Sequence, residues 1–247
     1  MLRAREIALN GLFIKICGIT NEEDALLASA MGADALGFVF AAGSTRQVTP
    51  SNVADIVKRL PPDIATFGVF RDEHPDRVVE IVHLCGLTGA QLHGHETAEQ
   101  CQSVAERVNF VVQAFAAGDR TIDRARSYPV EVILLDNPKP GSGELFDWSL
   151  VDGLPDGRKL LLAGGLDPLN VGDAVVKVRP WGVDVSTGVE AGPGRKDPRK
   201  VRTFIANARA AASALPQYVV AEKGDRPVNP DDHVGPAHLP YDWQEEF

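Results

Sequence analysis

The sequence predicts an α/β protein built as a single (β/α)8 TIM barrel with a carboxyl-terminal extension. Eight short apolar segments, each followed by an amphipathic helical segment, succeed one another along the chain. Strict alternation of this kind requires a parallel sheet, because parallel strands are joined by crossover helices. The length of 247 residues is close to the ~250 typical of such a barrel. Eight units in this length favour the closed barrel over an open doubly wound sheet.

Each strand is recognised as a short run of apolar and β-branched residues bounded by turn signals. The predicted strands are Leu12–Cys17, Ala35–Phe40, Ala65–Phe70, Ala90–Leu92, Phe110–Phe115, Val130–Leu135, Leu160–Leu162 and Gly182–Val185. The predicted helices run from Thr20 to Met31, Pro50 to Leu60, Pro75 to Cys85, Thr97 to Val108, Asp119 to Ser127, around Trp148 to Val151, from near Pro168, and Pro198 to Ala214. Thr20 opens Thr-Asn-Glu-Glu, a capping-box pattern for the first helix.

The chain divides into a catalytic barrel, residues 1–215, and an acidic, proline-rich tail, residues 216–247. From residue 217 onward the tail has seven acidic and two basic residues and no apolar period. Such a composition favours a solvated extension outside the barrel. The alternative is a segment that docks on the barrel or on a partner through the aromatics of Pro240–Trp243.

Composition excludes several classes of protein. A net charge of −9 argues against a nucleic-acid or anionic-membrane binder. The apolar stretch Ala25–Gly43 is interrupted at Gly32-Ala33-Asp34, so we do not interpret it as a membrane span. Three cysteines without CxxC spacing, and an amino terminus without the apolar core of a secretory signal, predict a reduced, cytoplasmic protein.

Polar residues follow the strands where the barrel's mouth is expected. Gly164 and Gly165 follow the seventh strand, and Ser186, Thr187 and Gly188 follow the eighth, which is the recurrent phosphate site of such barrels. Glycines let backbone N–H groups approach an anion, and hydroxyls add donors. A loop after the sixth strand forms a third candidate wall; it comprises Gly141, Ser142 and Gly143.

Two side chains at the mouth are candidates for moving protons. Asp136 ends the sixth strand, where partial desolvation suits a general acid, although an aspartate there also caps backbone N–H groups. Cys17 ends the first strand and supplies a base if its thiolate is stabilised; most such cysteines are buried core residues. Arg46 is a candidate for gripping a carboxylate, or a solvated loop residue. His93 orients a neighbour or ends its strand.

These residues predict an enzyme without cofactor or metal, acting on a small phosphorylated substrate that carries a second anion. The sequence contains no dinucleotide fingerprint, P-loop or zinc spacing.

The motifs resemble those of the phosphoribosylanthranilate isomerases of tryptophan biosynthesis. They occur in order from about residue 13 to residue 205: Lys15–Thr20, Gly37–Phe40 with Ser44–Arg46, Gln91–Gly94, Leu134–Asp136, Gly141–Gly143 with Phe146–Trp148, Leu162–Leu166, Val183–Glu190 and Lys196–Asp197. Thr45, Pro140 and Thr187 depart from the family's usual proline, glycine and serine, and none of these changes removes a catalytic group.

The resemblance implies an Amadori rearrangement of N-(5-phosphoribosyl)anthranilate. Asp136 would protonate the ring oxygen, Cys17 would remove the C2′ proton, and Arg46 would hold the anthranilate carboxylate. The phosphate would lie at Gly165, Gly188 and the hydroxyls of Ser186 or Thr187. The resemblance also assigns to substrate binding His93, Gly141, Ser142, Gly143, Gly164 and Asp184.

Alternatives remain open. A histidine-pathway isomerase, or a bifunctional relative, has an aspartate where this chain has Cys17, which disfavours that alternative. The barrel could also be a non-catalytic scaffold whose tail recruits another enzyme of the tryptophan pathway. The chain is expected to be a monomer or a homodimer.

Overall fold

Eight parallel strands form a closed barrel in the computed structural model, which describes residues 11–116, 125–136 and 157–216. Each strand pairs with the next along the chain, and β8 pairs with β1 to close the ring. The strands are β1 Phe13–Cys17, β2 Ala35–Val39, β3 Ala65–Phe70, β4 Gly89–Leu92, β5 Val111–Ala116, β6 Val132–Asp136, β7 Lys159–Leu162 and β8 Gly182–Val185. The predicted barrel is confirmed, with strand ends within two residues of the predicted ones.

Six α-helices lie within the described ranges and cover the outside of the barrel. They are α1 Glu22–Ala30, α2 Pro50–Val57, α3 Pro75–Cys85, α4 Ala98–Ala105, α5 Val171–Val178 and α6 Pro198–Ser213. None of these helices is long and apolar enough to cross a bilayer. Three predicted segments lie outside the described residues. They are the helix around Trp148–Val151, most of the helix over Asp119–Ser127, and the tail from residue 217.

Apolar side chains form two layers because successive residues of a strand face opposite sides. One set fills the barrel's interior and includes Phe13, Phe67, Leu134 and Leu161. The other set lies between the strands and the helices, where Ile14 and Ile16 belong. Lys15 and Cys17 share the inward face of Phe13, so β1 sends a lysine and a thiol into the barrel.

Two helix starts differ from the prediction. The N-cap of α1 is Asn21, whose side chain accepts a hydrogen bond from the Asp24 N–H at 2.9 Å, so the prediction of Thr20 was wrong. The Thr20 hydroxyl instead donates to the Gly194 carbonyl at 2.6 Å, a contact across 174 residues that no local pattern indicates. Helix α5 begins at Val171 rather than near Pro168.

A small antiparallel pair follows the barrel's last strand and was not predicted. A 3-10 turn over Thr187–Val189 leads into β9 Glu190–Gly192, which pairs with β10 Arg195–Lys196. The sequence Gly192-Pro193-Gly194, interpreted only as a turn, lies between the two. This hairpin brings Glu190 and Lys196 back to the mouth of the barrel.

Candidate active site

The predicted polar residues of the described ranges meet at one end of the barrel. Cys17 and Asp136 are the last residues of β1 and β6, and His93 directly follows β4. Gly164 and Ser186 come within two residues of the ends of β7 and β8. Parallel strands point the same way, so these positions lie around a single mouth.

The Cys17 thiol is buried at the inner wall of this mouth. Cys17 is paired in register with Gly37 of β2, and the lack of a side chain at Gly37 makes room for two neighbours. A methyl group at Gly37 would lie 2.7 Å from Cys17 Sγ and 2.9 Å from Lys15 Nζ. The sulfur and the ammonium therefore lie side by side in the space that this glycine leaves open.

Lys15 forms a buried ion pair below the mouth. Its side chain is completely inaccessible to solvent, and its Nζ lies 2.9 Å from Asp184 Oδ1. The pair is direct because Lys15 of β1 and Asp184 of β8 are register partners. Asp184 is therefore placed against Lys15, and its assignment to substrate binding stays a prediction.

Burial and charge act in opposite directions on these groups. Burial alone would lower the pKa of Lys15, but the Asp184 carboxylate and the Cys17 sulfur outweigh it and raise that pKa, so the amine is an ammonium. Burial raises the pKa of the Cys17 thiol above its ordinary value, and the Lys15 ammonium partly offsets the rise. Without the Lys15 ammonium, the pKa of the Cys17 thiol would rise further, so less thiolate would form at a given pH.

Asp136 is supported by a histidine. His93 Nε2 lies 3.2 Å from Asp136 Oδ2, and His93 Nδ1 lies 3.0 Å from Gln91 Nε2. When the Gln91 amide donates to Nδ1, the neutral ring carries its hydrogen on Nε2 and donates it to Asp136. Both predictions for His93 have a matching contact, because its ring lies against Asp136 and its backbone N–H donates to the Phe70 carbonyl at 2.8 Å.

Arg46 is held by a carboxylate of the hairpin. Its Nε and Nη2 donate to the two oxygens of Glu190, each at 2.6 Å, and Nη2 lies 3.4 Å from Thr187 Oγ1. None of these contacts uses Nη1, and about a fifth of the side chain is exposed. The loop arginine is therefore fixed rather than merely solvated, and one edge of its guanidinium remains for a ligand.

Lys196 connects this ion pair to the wall of the barrel. Its buried Nζ lies 3.1 Å from Glu190 Oε1 and 3.1 Å from the Ser186 carbonyl oxygen. Its backbone N–H donates to the buried carboxylate of Asp24 at 2.9 Å. Burial would raise the pKa of Glu190, but Arg46 and Lys196 outweigh it and hold that pKa below its ordinary value.

The two glycine-containing loops of the predicted phosphate site touch each other. Gly164 and Gly165 have φ values of +83° and +67°, and the Asn170 side-chain amide donates to the Gly165 carbonyl at 2.8 Å. A methyl group at Gly188 would lie only 2.0 Å from the Leu166 carbonyl oxygen. Glycine at 188 therefore lets the loops after β7 and β8 form one continuous surface.

Gly141, Ser142 and Gly143 lie outside the described residues. Within the described ranges, no three His, Cys, Asp or Glu side chains converge as metal ligands.

Sequence reasoning gave no role to Lys15, Gln91, Glu190 or Lys196. One signal was available for Lys15, because it is the only charged residue in the apolar strand FIKIC. It also lies two residues before Cys17, so the two side chains face the same side of the strand. Glu190 and Lys196 lie in the motifs Val183–Glu190 and Lys196–Asp197 that carry the resemblance, but their contacts depend on the hairpin, which was not predicted.

Comparison with known proteins finds a matching family model and similar curated proteins. A family model described as N-(5′-phosphoribosyl)anthranilate (PRA) isomerase matches residues 14–207. The N-(5′-phosphoribosyl)anthranilate isomerase of Desulforudis audaxviator is 49% identical over 205 residues, which are 80% of this chain and 98% of that protein.

Solved structures show the same similarity. A phosphoribosyl anthranilate isomerase in complex with reduced 1-(o-carboxyphenylamino)-1-deoxyribulose 5-phosphate is 42% identical, with a TM-score of 0.72 over 81% of this chain and 99% of that one. Monomers made from the dimeric Thermotoga maritima enzyme are 40% identical, with a TM-score of 0.70 over 80% and 98% of the two chains.

The charges around Glu190 predict a pH-dependent loss of stability. Because its pKa in the folded state lies below the ordinary 4.5, the carboxylate stabilises the fold above that pH and loses its effect as the pH falls through the lowered pKa. Glu190→Gln should lower the free energy of unfolding by ~1–3 kcal/mol at pH 7, and by less at pH 3.5.

Urea denaturation at both pH values measures this difference. Glu23→Gln is the matched control, because Glu23 is exposed on α1 and its substitution should change little at either pH. An equal loss for Glu190→Gln at both pH values would contradict the assigned charge interaction.

Proposed function

Because the chain belongs to the N-(5′-phosphoribosyl)anthranilate isomerase family, we propose that Cys17 and Asp136 are the base and the acid of its reaction. The chain is an isomerase of tryptophan biosynthesis, which converts N-(5′-phosphoribosyl)anthranilate to 1-(2-carboxyphenylamino)-1-deoxyribulose 5-phosphate. This Amadori rearrangement moves protons without changing composition. The observation that carries our proposal is the position of a thiol on β1 and a carboxyl on β6 at the same mouth.

Asp136 begins the reaction as a general acid. Its protonated carboxyl gives a proton to the ring oxygen, the C1′–O bond breaks, and the nitrogen lone pair forms the iminium. His93 supports this step, since its Nε2 lies 3.2 Å from Asp136 Oδ2 and can donate to the carboxylate that results. A fixed hydrogen bond of this kind keeps the acid oriented toward the substrate.

Cys17 continues the reaction as a general base. Its thiolate takes the C2′ proton, the electron pair of that C–H bond forms the C1′=C2′ bond of the enolamine, and the π pair of the iminium returns to the nitrogen. The enolamine becomes the ketone when C1′ gains a proton and the 2′-hydroxyl loses one. If the thiol gives the first proton and the Asp136 carboxylate takes the second, both groups return to their starting states.

The phosphate binds at the loops after β7 and β8. Support comes from the contact between these loops at Gly188 and from the positive φ values of Gly164 and Gly165, which turn the backbone sharply. Backbone N–H groups and the hydroxyls of Ser186 and Thr187 supply neutral donors for the phosphate. The loop containing Gly141, Ser142 and Gly143 is proposed as a third wall on the sequence alone.

Arg46 binds the anthranilate carboxylate through the edge that Glu190 leaves open. A guanidinium has donors for more than one carboxylate, and Nη1 makes none of the contacts with Glu190 and Thr187. Glu190 also holds the side chain in place before the substrate arrives.

The two alternative functions are not favoured. The Desulforudis audaxviator relative and the solved complex described above are both named as isomerases of this reaction. The chain also retains both proton-transfer groups, which a non-catalytic scaffold would not need. The histidine-pathway alternative requires an aspartate where this chain has Cys17.

We further infer where the enzyme works and how it assembles. All three cysteines are free, which fits a reducing cytoplasm. The family includes a dimeric member, and this chain is proposed to be a monomer or homodimer. Association with another enzyme of the tryptophan pathway is an alternative role for the tail.

The assignment of acid and base predicts the result of a direct assay. Turnover of freshly prepared phosphoribosylanthranilate is followed by the loss of its fluorescence. Cys17→Ala and Asp136→Asn should each lower kcat by about two to four orders of magnitude with unchanged circular dichroism. Wild type should show little turnover of the histidine-pathway aminoaldose. A near wild-type kcat in either variant would refute the role of that residue.

Arg46→Ala should mainly raise KM, by about 10- to 100-fold, if its contact with the carboxylate is equal in the ground and transition states. The substitution also removes the arginine partner of Glu190, which stays paired with Lys196 but can then repel the substrate's carboxylate. Arg46→Ala with Glu190→Gln separates these effects, since a KM that stays high in the double variant reports the lost contact itself. Arg199→Ala, an exposed arginine of α6, is the control. An unchanged KM in Arg46→Ala would exclude the contact.

Deletion of residues 217–247 tests the tail. For a solvated extension, kcat, KM and the melting temperature should be unchanged. Light scattering after size-exclusion chromatography gives the oligomeric state of both forms, alone and mixed with purified tryptophan-pathway enzymes. A complex that the full chain forms and the truncated chain does not form would contradict the solvated extension and support the recruiting role.

A further inference from the structure

The interior of the barrel contains a charged pair that takes no part in the proton transfers proposed above. Lys15 and Asp184 lie below the mouth, with Nζ and Oδ1 2.9 Å apart and Lys15 completely inaccessible to solvent. A buried pair costs desolvation energy that its attraction often fails to offset. The pair is therefore better explained by its position beside Cys17 than by a contribution to stability.

We propose that Lys15 is a positioning residue that maintains the Cys17 sulfur as a usable thiolate, with Asp184 as its fixed counter-ion. This inference rests on the proposed role of Cys17 as the base. Lys15 does not contact the reacting carbon in this scheme; it acts through the sulfur.

The geometry of Gly37 supports the pairing of ammonium and sulfur. The point where a methyl group of residue 37 would lie is 2.9 Å from Nζ and 2.7 Å from Sγ. Both groups therefore lie in the space left by the missing side chain. Lys15 is two residues before Cys17 on β1 and has the same inward orientation, so its long side chain runs up the wall toward the thiol.

The other charges around the thiol leave Lys15 with a distinct role. The charged groups facing Cys17 are Lys15 from its own strand, Asp184 from β8, Lys196 from β10 and Arg46 from the loop after β2. Lys196 and Arg46 are both committed to Glu190. Burial lowers the pKa of Lys196, whereas that of Lys15 is raised. Lys15 is thus the cation whose ammonium shares with the sulfur the space beside Gly37.

Asp184 explains why Lys15 remains charged in an apolar interior. A lone buried lysine tends to lose its proton, because burial disfavours the ammonium. The direct ion pair with Asp184 reverses that tendency, and the register of β1 with β8 fixes the distance. During the reaction the C2′ proton moves to the sulfur, while Lys15 keeps all of its own protons.

The pH dependence of Cys17 alkylation tests the proposal without substrate. The full chain reacts with iodoacetamide between pH 6 and pH 10, and peptide mass spectrometry follows the labelling of Cys17 separately from Cys85 and Cys101. Lys15→Met should shift the labelling profile to higher pH and lower the rate at pH 7 by about tenfold or more, which corresponds to one pKa unit.

Two further variants distinguish the loss of the ammonium beside the sulfur from an effect of misfolding. Lys15→Met with Asp184→Asn removes both charges and leaves no unpaired carboxylate, and it should shift the profile in the same direction as Lys15→Met. Gly37→Ala keeps both charges but pushes the ammonium and the sulfur apart, so it should also slow labelling at pH 7.

Matched controls exist for both kinds of change. Lys159→Met removes a lysine paired with Glu131 at the start of β7, and Gly172→Ala adds a methyl group on α5 whose nearest neighbour is 3.9 Å away. Both should keep the wild-type profile. A folded double variant that labels like wild type, or a Lys15→Met variant that labels faster, would overturn the proposal.

The labelling experiment and the turnover assay of Cys17→Ala test the positioning role and the proposed base separately. If Cys17→Ala retains turnover, Cys17 is not the base, whatever the labelling shows. If Cys17→Ala is inactive but labelling is insensitive to Lys15, the base assignment stands and the positioning role fails.

Discussion

The pairing of β1 with β8 is the interaction on which both the fold and the site depend. It closes the barrel, and its register sets Lys15 opposite Asp184. A shift of one residue would place the two side chains on opposite faces of the sheet, because the side chains of a strand alternate. The same pairing that removes the free sheet edges therefore decides which groups meet under the catalytic mouth. The pairing that closes the barrel therefore also brings Lys15 and Asp184 together beneath the mouth.

A second set of charges works on the rim of the mouth. Asp24, Lys196, Glu190 and Arg46 form a series in which each member contacts the next. The series begins on α1 and ends on the loop after β2, so it connects parts of the wall that the strands alone do not hold together. Its effect is to fix Arg46 without using all of its donors. The Arg46 side chain thus loses its rotational freedom on folding rather than on binding. Because binding then costs less conformational entropy, the affinity for a ligand is higher.

The sequence was sufficient for the strands and insufficient for the contacts between distant segments. Helix α3 begins and ends as predicted because Pro75 and Gly86 mark its ends locally. The cap of α1 was misassigned, because Thr20 is engaged by Gly194, a residue far away along the chain. Cys17 and Asp136 were found because they end apolar strands. Glu190 and Lys15 were missed because their partners lie 144 and 169 residues away, and only the folded chain supplies them.

The long separation between Lys15 and Asp184 also has a consequence for the order in which the protein is made. The two residues are 169 positions apart, and translation at about 5–20 residues per second places roughly 10–30 s between them. Throughout that interval β1 has no β8 to pair with, and its lysine has no carboxylate to accompany it into the interior. β1 leaves the ribosome before the other seven strands of the barrel, yet it is among the last to gain both of its neighbours. Until then, its apolar residues must be kept from contact with other chains.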